Sequence, residues 1–181
     1  MSQSHKRRSM HQDEEPLPRH HDDIAMWILA NVGSYVQGRY DPTVQLAKVS
    51  MPDLIIGQPP EVKIKTTLEY LVTGKNETFI GFIDVLAEIN YAYLDLEYTP
   101  KWTERIDAFC FEAKPCIPSL GELMRQIRKY QKYFTQNQFH SVTFVVVSPD
   151  THYRNVIRSQ GIEFWECPPL LQLPDTGTLF E

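Results

Sequence analysis

The sequence predicts an α/β fold, a mixed β-sheet flanked by helices, and three observations carry that expectation. Two β-rich runs flank the turn signal Thr73-Gly74-Lys75-Asn76-Glu77, so the first two strands form an antiparallel hairpin. Between residues 105 and 168 strands alternate with helical patterns, which implies crossovers. The apolar fraction of 42% over 181 residues suffices for one domain whose core covers both faces of a sheet.

The elements follow in order. Residues 1–19, "MSQSHKRRSMHQDEEPLPR", offer little to bury and read as a flexible polar tail. Residues 20–169 form the single domain. In "HHDDIAMWILANV", Asp22 or Asp23 is placed to cap a helix, Ile24, Trp27, Ile28 and Val32 share one face, and Gly33 is expected to end it. A loop-rich stretch holding Gly57, Pro59 and Pro60 reaches residue 60, and the hairpin follows. "NYAYLDLEYTPKWTE" reads as a loop whose aromatics either stack on bases or cover the sheet. It leads to a third strand, "RIDAFCFEAK", ended by Pro115. Ser119 and Glu122 have the capping-box spacing at the start of the helix "SLGELMRQIRKYQKYF". "SVTFVVVSPD" is an apolar run typical of a strand covered on both faces. A short helix closed by Gly161, a last strand "IEFWECP" and a tail at 170–181 complete the chain.

Bulk properties narrow the function. A net charge of −5 argues against binding nucleic acid by overall charge, leaving only a local basic face for that role. The three cysteines, Cys110, Cys116 and Cys167, form no CxxC pair; reduced thiols in a cytoplasmic setting are expected. No run approaches eighteen apolar residues and the N-terminus lacks a hydrophobic signal core, so neither a membrane span nor export is expected.

The chemistry concentrates in "FEAKPC". Alternation puts Phe109, Phe111 and Ala113 on one face of the strand and Cys110, Glu112 and Lys114 on the other. Alone, such an E-x-K is a solvated edge or an ion pair. Asp84 changes the reading, because it stands in the middle of an apolar run on the preceding strand and needs a partner. If the two strands are neighbours, Asp84 lies beside Glu112. A hard divalent cation such as Mg²⁺ then relieves the repulsion between the two carboxylates. Lys114 would stand where an attacking water needs an orienting group, an arrangement suited to metal-assisted phosphodiester hydrolysis. On the following helix Leu120, Leu123, Met124, Ile127 and Phe134 form an apolar stripe, bordered by Gln126, Tyr130 and Tyr133. Arg125, Arg128, Lys129 and Lys132 form its outer face, either ordinary solvated surface or a track for a phosphate backbone.

These motifs resemble the PD-(D/E)XK nuclease superfamily. Asp84 matches its first acid and Glu112-Ala113-Lys114 its (D/E)-x-K. Gly81-Phe82-Ile83-Asp84 fits the G-x-x-D form of the RecB-like subgroup, and Gln126 with Tyr130 fits its Q-x-x-x-Y. The similarity spans residues 65 to 150; Pro52-Asp53 lies too far upstream to be the motif acid. The resemblance implies a restriction-endonuclease-like α-β-β-β-α-β core and a Mg²⁺- or Mn²⁺-dependent deoxyribonuclease acting on DNA, with a homodimer as one possible assembly. It implies Asp84, Glu112 and the Ala113 carbonyl as metal ligands, Lys114 as the water-orienting group, and Gln126 and Tyr130 as positioning residues. His20 or His21 could match the upstream histidine of that subgroup, although histidines at a tail boundary are more often merely solvated. The first helix lacks the glutamate other members use; Glu69 and Glu88 are the substitutes available. Two rival readings stand beside the nuclease. One is a nuclease-like fold that binds nucleic acid or protein without cutting. The other is an interaction module in which Asp84 is exposed and far from Glu112.

Overall fold

Apolar residues on both faces of one sheet organise the chain. In a computed structural model that describes residues 20–40, 61–95, 101–134 and 139–169, the elements are α1 (His20–Tyr40), β1 (Lys63–Thr73), β2 (Phe79–Asp95), β3 (Lys101–Ala113), α2 (Leu120–Tyr133), β4 (Ser141–Ser148), α3 (Arg154–Ser159) and β5 (Glu163–Glu166). The expected tails at 1–19 and 170–181 and Pro52-Asp53 lie outside the described residues. The sheet order is β1-β2-β3-β4-β5, with β1–β2 and β2–β3 antiparallel and β3–β4 and β4–β5 parallel. This is the mixed sheet flanked by helices that the sequence predicts.

Each face has its own core. Ile24, Ile28, Val32 and Val36 of α1 pack on Val85, Ala87 and Ile89 of β2, Phe109 and Phe111 of β3, and Val145 and Val147 of β4. On the opposite face Leu123, Ile127 and Tyr130 of α2 and Ile157 of α3 cover Leu86, Ala108, Cys110, Phe144, Val146 and Phe164. Val145, Val146 and Val147 are consecutive and all buried, so β4 is covered from both sides, as its unbroken apolar run requires. Among the described residues no helix is long and apolar enough to cross a membrane. The three cysteines are free, Cys110 and Cys167 buried and Cys116 exposed.

Two boundaries differ from expectation. α1 does not stop at Gly33; it runs on to Tyr40. Ile24, Ile28, Val32, Val36 and Tyr40 recur every fourth residue and are all buried. One interior glycine costs about 1 kcal/mol, less than burying Val36 and Tyr40 returns at about 1.5–3 kcal/mol per large side chain. Asp22 and Asp23 occupy the first turn of α1, where they complement the helix dipole, and neither caps it. The second difference is the expected loop after Ile89, which is mostly strand. The β2–β3 ladder continues from Ile89↔Asp107 to Asp95↔Lys101, and only residues 96–100 lie outside the described part. Cross-strand pairs such as Tyr91↔Arg105 and Ala92↔Glu104 supply the stabilisation that a propensity count over a polar stretch undervalues.

Asp107 holds the far end of the sheet together. Buried, it accepts hydrogen bonds from the Tyr40 hydroxyl at 2.9 Å and from the Ser141 amide at 3.0 Å, joining α1, β3 and β4.

A Cβ added at Gly33 would meet nothing within 4 Å. Gly33→Ala should therefore stabilise the protein by about 0.5–1 kcal/mol, read as a higher urea midpoint at unchanged m-value.

Candidate active site

The site begins with a fault in the β1–β2 hairpin. The ladder runs in register to Leu68↔Val85 and resumes at Tyr70↔Ile83, omitting Glu69 and Asp84. Glu69 has φ +48°, a left-handed conformation that costs a non-glycine residue of order 1–3 kcal/mol in a strand. Side-chain alternation inverts there. Leu68 and Val85 face α1, whereas Tyr70, Val72 and Ile83 belong to the core under α2. The β2–β3 ladder stops one residue later in space, at Val85↔Phe111. Asp84, next in that register opposite Glu112, has thus left both neighbouring strands. Its Oδ2 accepts the Ala113 amide at 2.7 Å, and its side chain is only 14% exposed.

Glu112 is held from the other side. β4 backs it through the Glu112↔Val146 pairing and the Lys114 amide bond to the Val147 carbonyl at 2.9 Å. The residue is 4% exposed. Its Oε1 accepts from Lys114 Nζ at 2.6 Å and from Gln126 Nε2 at 2.5 Å, while its Oε2 is buried with no hydrogen-bond partner among the described residues. Burial and the neighbouring Asp84 carboxylate push Glu112 up to about 7, against partial compensation by Lys114 and Gln126.

Gln126 and Tyr130 arrive on α2, whose start is fixed by the Ser119 hydroxyl accepting the Glu122 amide at 3.3 Å. At i, i+4 spacing they share one margin of the helix, and Gln126 Nε2 also donates to the Tyr130 hydroxyl at 3.1 Å. Tyr130 lies directly over Gly81: a Cβ there would be 2.8 Å from both its ring and its hydroxyl oxygen. The glycine of Gly81-Phe82-Ile83-Asp84 is the space that the tyrosine fills.

The other candidates separate cleanly. His21 Nε2 is 3.2 Å from Asp84 Oδ2, and His21, Asp22, Glu69 and Asp84 line a cleft of about 250 Å³ with Ala25, Met26 and Leu68. The His20 side chain lies outside the described residues. Glu88 is not part of the site. It stays in the regular ladder, opposite Lys65 and Ala108, and pairs with Lys65 at 2.8 Å, while Asp84 leaves that ladder. On the outer side of α2, Lys129 Nζ donates to the Ile80 carbonyl at 2.8 Å, Arg128 donates to Gln160 at 2.8 Å, Lys132 stands 5.2 Å from the Tyr133 ring centre, and Arg125 is exposed. The Ala113 amide and the role of Gly81 were beyond residue-type reasoning, because both act through backbone. So was a second cleft of about 650 Å³ around Tyr35, Arg39, Arg158, Glu163 and Trp165, assembled from distant segments. There Arg39 grips Glu163 with two bonds of 2.7 and 2.6 Å and holds its carboxyl below the usual range.

No protein-family model, curated protein or solved structure matches the chain. The chemistry of the site therefore rests on its own donors. Two carboxylates, one with an orphaned buried oxygen, form a hard-oxygen set. Among the described residues no group of three or more His, Cys, Asp or Glu side chains could hold a metal ion. That set does not fit a closed zinc site. It fits Mg²⁺, which is ordinarily held by one or two carboxylates and keeps waters in its remaining positions.

Because Glu112 holds its proton more tightly folded than unfolded, its burial lowers stability as pH rises from the ordinary 4.5 to about 7. In EDTA, Glu112→Gln should gain stability relative to the parent by on the order of 1–3 kcal/mol at pH 8 and far less at pH 4, measured by urea unfolding at each pH. Gly81→Ala should cost about 1–3 kcal/mol through overlap with Tyr130. Most of that cost should vanish in a Tyr130→Ala background; an undiminished cost there would sever the link between the two residues.

Proposed function

We propose that this protein is a divalent-metal-dependent nuclease that hydrolyses DNA phosphodiester bonds. The observation that carries the reading is the buried Glu112 carboxylate, with one oxygen unpartnered among the described residues, opposite Asp84 and 2.6 Å from the Lys114 ammonium. A buried carboxylate left unsatisfied is costly and calls for a cation or a proton.

Asp84 and Glu112, with the Ala113 carbonyl, would hold Mg²⁺ or Mn²⁺, and His21 stands close enough to Asp84 to orient its carboxylate or join it. A divalent ion there acidifies water and neutralises charge developing on a phosphoryl group. Lys114 orients the attacking water and stabilises the negative charge that builds on the phosphate oxygens. Gln126 fixes the Glu112 carboxylate through its amide, and Tyr130 fixes Gln126. Arg125, Arg128, Lys129 and Lys132 contribute positive charge on the adjoining helix face, offsetting the acidic average where a phosphate backbone would pass.

The test is cleavage of linear, circular and single-stranded DNA with Mg²⁺ or Mn²⁺. EDTA should abolish cutting, and Glu112→Ala or Lys114→Ala should slow it by roughly 10²-fold or more. Gln126→Ala should slow it less, because it acts through Glu112. Variants of Glu112 and Lys114 that cut at the parental rate would end the nuclease reading.

A further inference from the structure

Five of the eight large exposed hydrophobic side chains among the described residues, Met26, Leu68, Leu71, Phe79 and Phe82, gather along one face of the β1–β2 hairpin. The fault at Glu69 and Asp84 puts them there. Beyond it, Tyr70, Val72 and Ile83 turn under α2, so Leu71 and Phe82 turn to the side of α1. The core under α1, however, takes residues of β2 only from Val85 onward. Leu71 and Phe82 face each other across the hairpin, and the Phe79 ring meets Phe82 edge-on at 5.5 Å. Phe79 is 62% and Phe82 45% exposed. At its inner end the strip enters the catalytic cleft, because Leu68 and Met26 line the same cavity as Asp84 and His21.

At the outer end Lys75 and Glu77 share the hairpin turn, and Lys129 and Lys132 stand on α2 over the opposite face of the sheet, Lys129 reaching the Ile80 carbonyl. An occupant that reaches from this strip into the Asp84 cleft should carry flat apolar groups and, on the nuclease reading, a phosphate. We infer that the strip formed by Leu71, Phe79 and Phe82 binds the unpaired bases of a single-stranded DNA segment whose phosphate enters the Asp84–Glu112 site, an inference that rests on the nuclease reading above. Exposed bases stack on aromatic side chains; a duplex keeps its base faces inside its own stack and has nothing to offer the strip. A second copy of the chain is a poorer occupant. Five half-exposed side chains fall well short of the about 800 Å² per partner that a stable protein contact buries.

Fluorescence anisotropy in EDTA, with a labelled fifteen-residue oligo(dT) and a hairpin duplex of equal phosphate number, tests this. The parent should bind the single strand more tightly than the duplex. The double substitution Phe79→Ala with Phe82→Ala should weaken oligo(dT) binding about tenfold or more and duplex binding less than twofold. Phe82→Trp should retain oligo(dT) binding, and unchanged thermal melting should accompany both variants. Equal loss on the two probes, no loss on either, or sedimentation of a dimer that the double substitution dissociates would each overturn the inference. The two proposals fail separately. A parent that cuts no DNA with either metal but binds oligo(dT) through the phenylalanines loses the nuclease reading alone. A parent that cuts duplex and single strand alike, unaffected by the double substitution, loses only the strip.

Discussion

A carboxylate in a protein interior has to be compensated, and at Glu112 the compensation recruits half the fold. Lys114 and Gln126 share one oxygen, Gln126 leans on Tyr130, and Tyr130 requires the absence of a Cβ at Gly81. Three sequence motifs that look independent on paper are therefore one chain of contacts. The strand β3 supplies the charge, α2 supplies the amide that steadies it, and β2 leaves the room that lets α2 come down. Glu112 holds this arrangement without becoming fully satisfied, and its unpartnered oxygen leaves the site with capacity for a ligand.

The second constraint is geometric. A regular hairpin would have kept Asp84 in its ladder, with its side chain committed to one face of the sheet. The left-handed residue Glu69 breaks the regular pairing, and Asp84 is released toward the Ala113 amide and His21. Strain at one residue thereby produces a cleft, a pair of opposed carboxylates and an uncovered apolar face. Left-handed conformations of this kind persist in bulky residues where surrounding structure over-determines them, and they concentrate at sites with a use for the distortion.

Much of this was legible in the sequence, because strong local patterns coincide with the structure. The hairpin, the E-x-K strand, the capped α2 and the covered β4 all carry unambiguous periodicity, and Asp84, Glu112, Lys114, Gln126 and Tyr130 meet as their spacing suggested. The failures share one cause, the assumption of uninterrupted local rules. By its own preference Gly33 is a helix stop, whereas tertiary burial of Val36 and Tyr40 decides the matter. Glu88 shares a face with Asp84 only while alternation runs unbroken, and the fault at Glu69 breaks it. Asp107 is invisible to local reasoning, since its partners are 67 and 34 residues away.

The backing of β3 by β4 has a consequence for the order in which the chain is made. The hairpin, β3 and α2 are complete by Tyr133, so every acidic and basic group of the site exists before β4 has been translated. Yet Glu112 is paired with Val146 and the Lys114 amide is tied to Val147, and this contact is parallel and distant in sequence. Such pairings close late, after local hairpins and helices have formed. On the ribosome, the two carboxylates would stay solvated and loosely placed until β4, in the last quarter of the chain, emerged. On the nuclease reading proposed above, such a centre would be inert while the polypeptide is still being made.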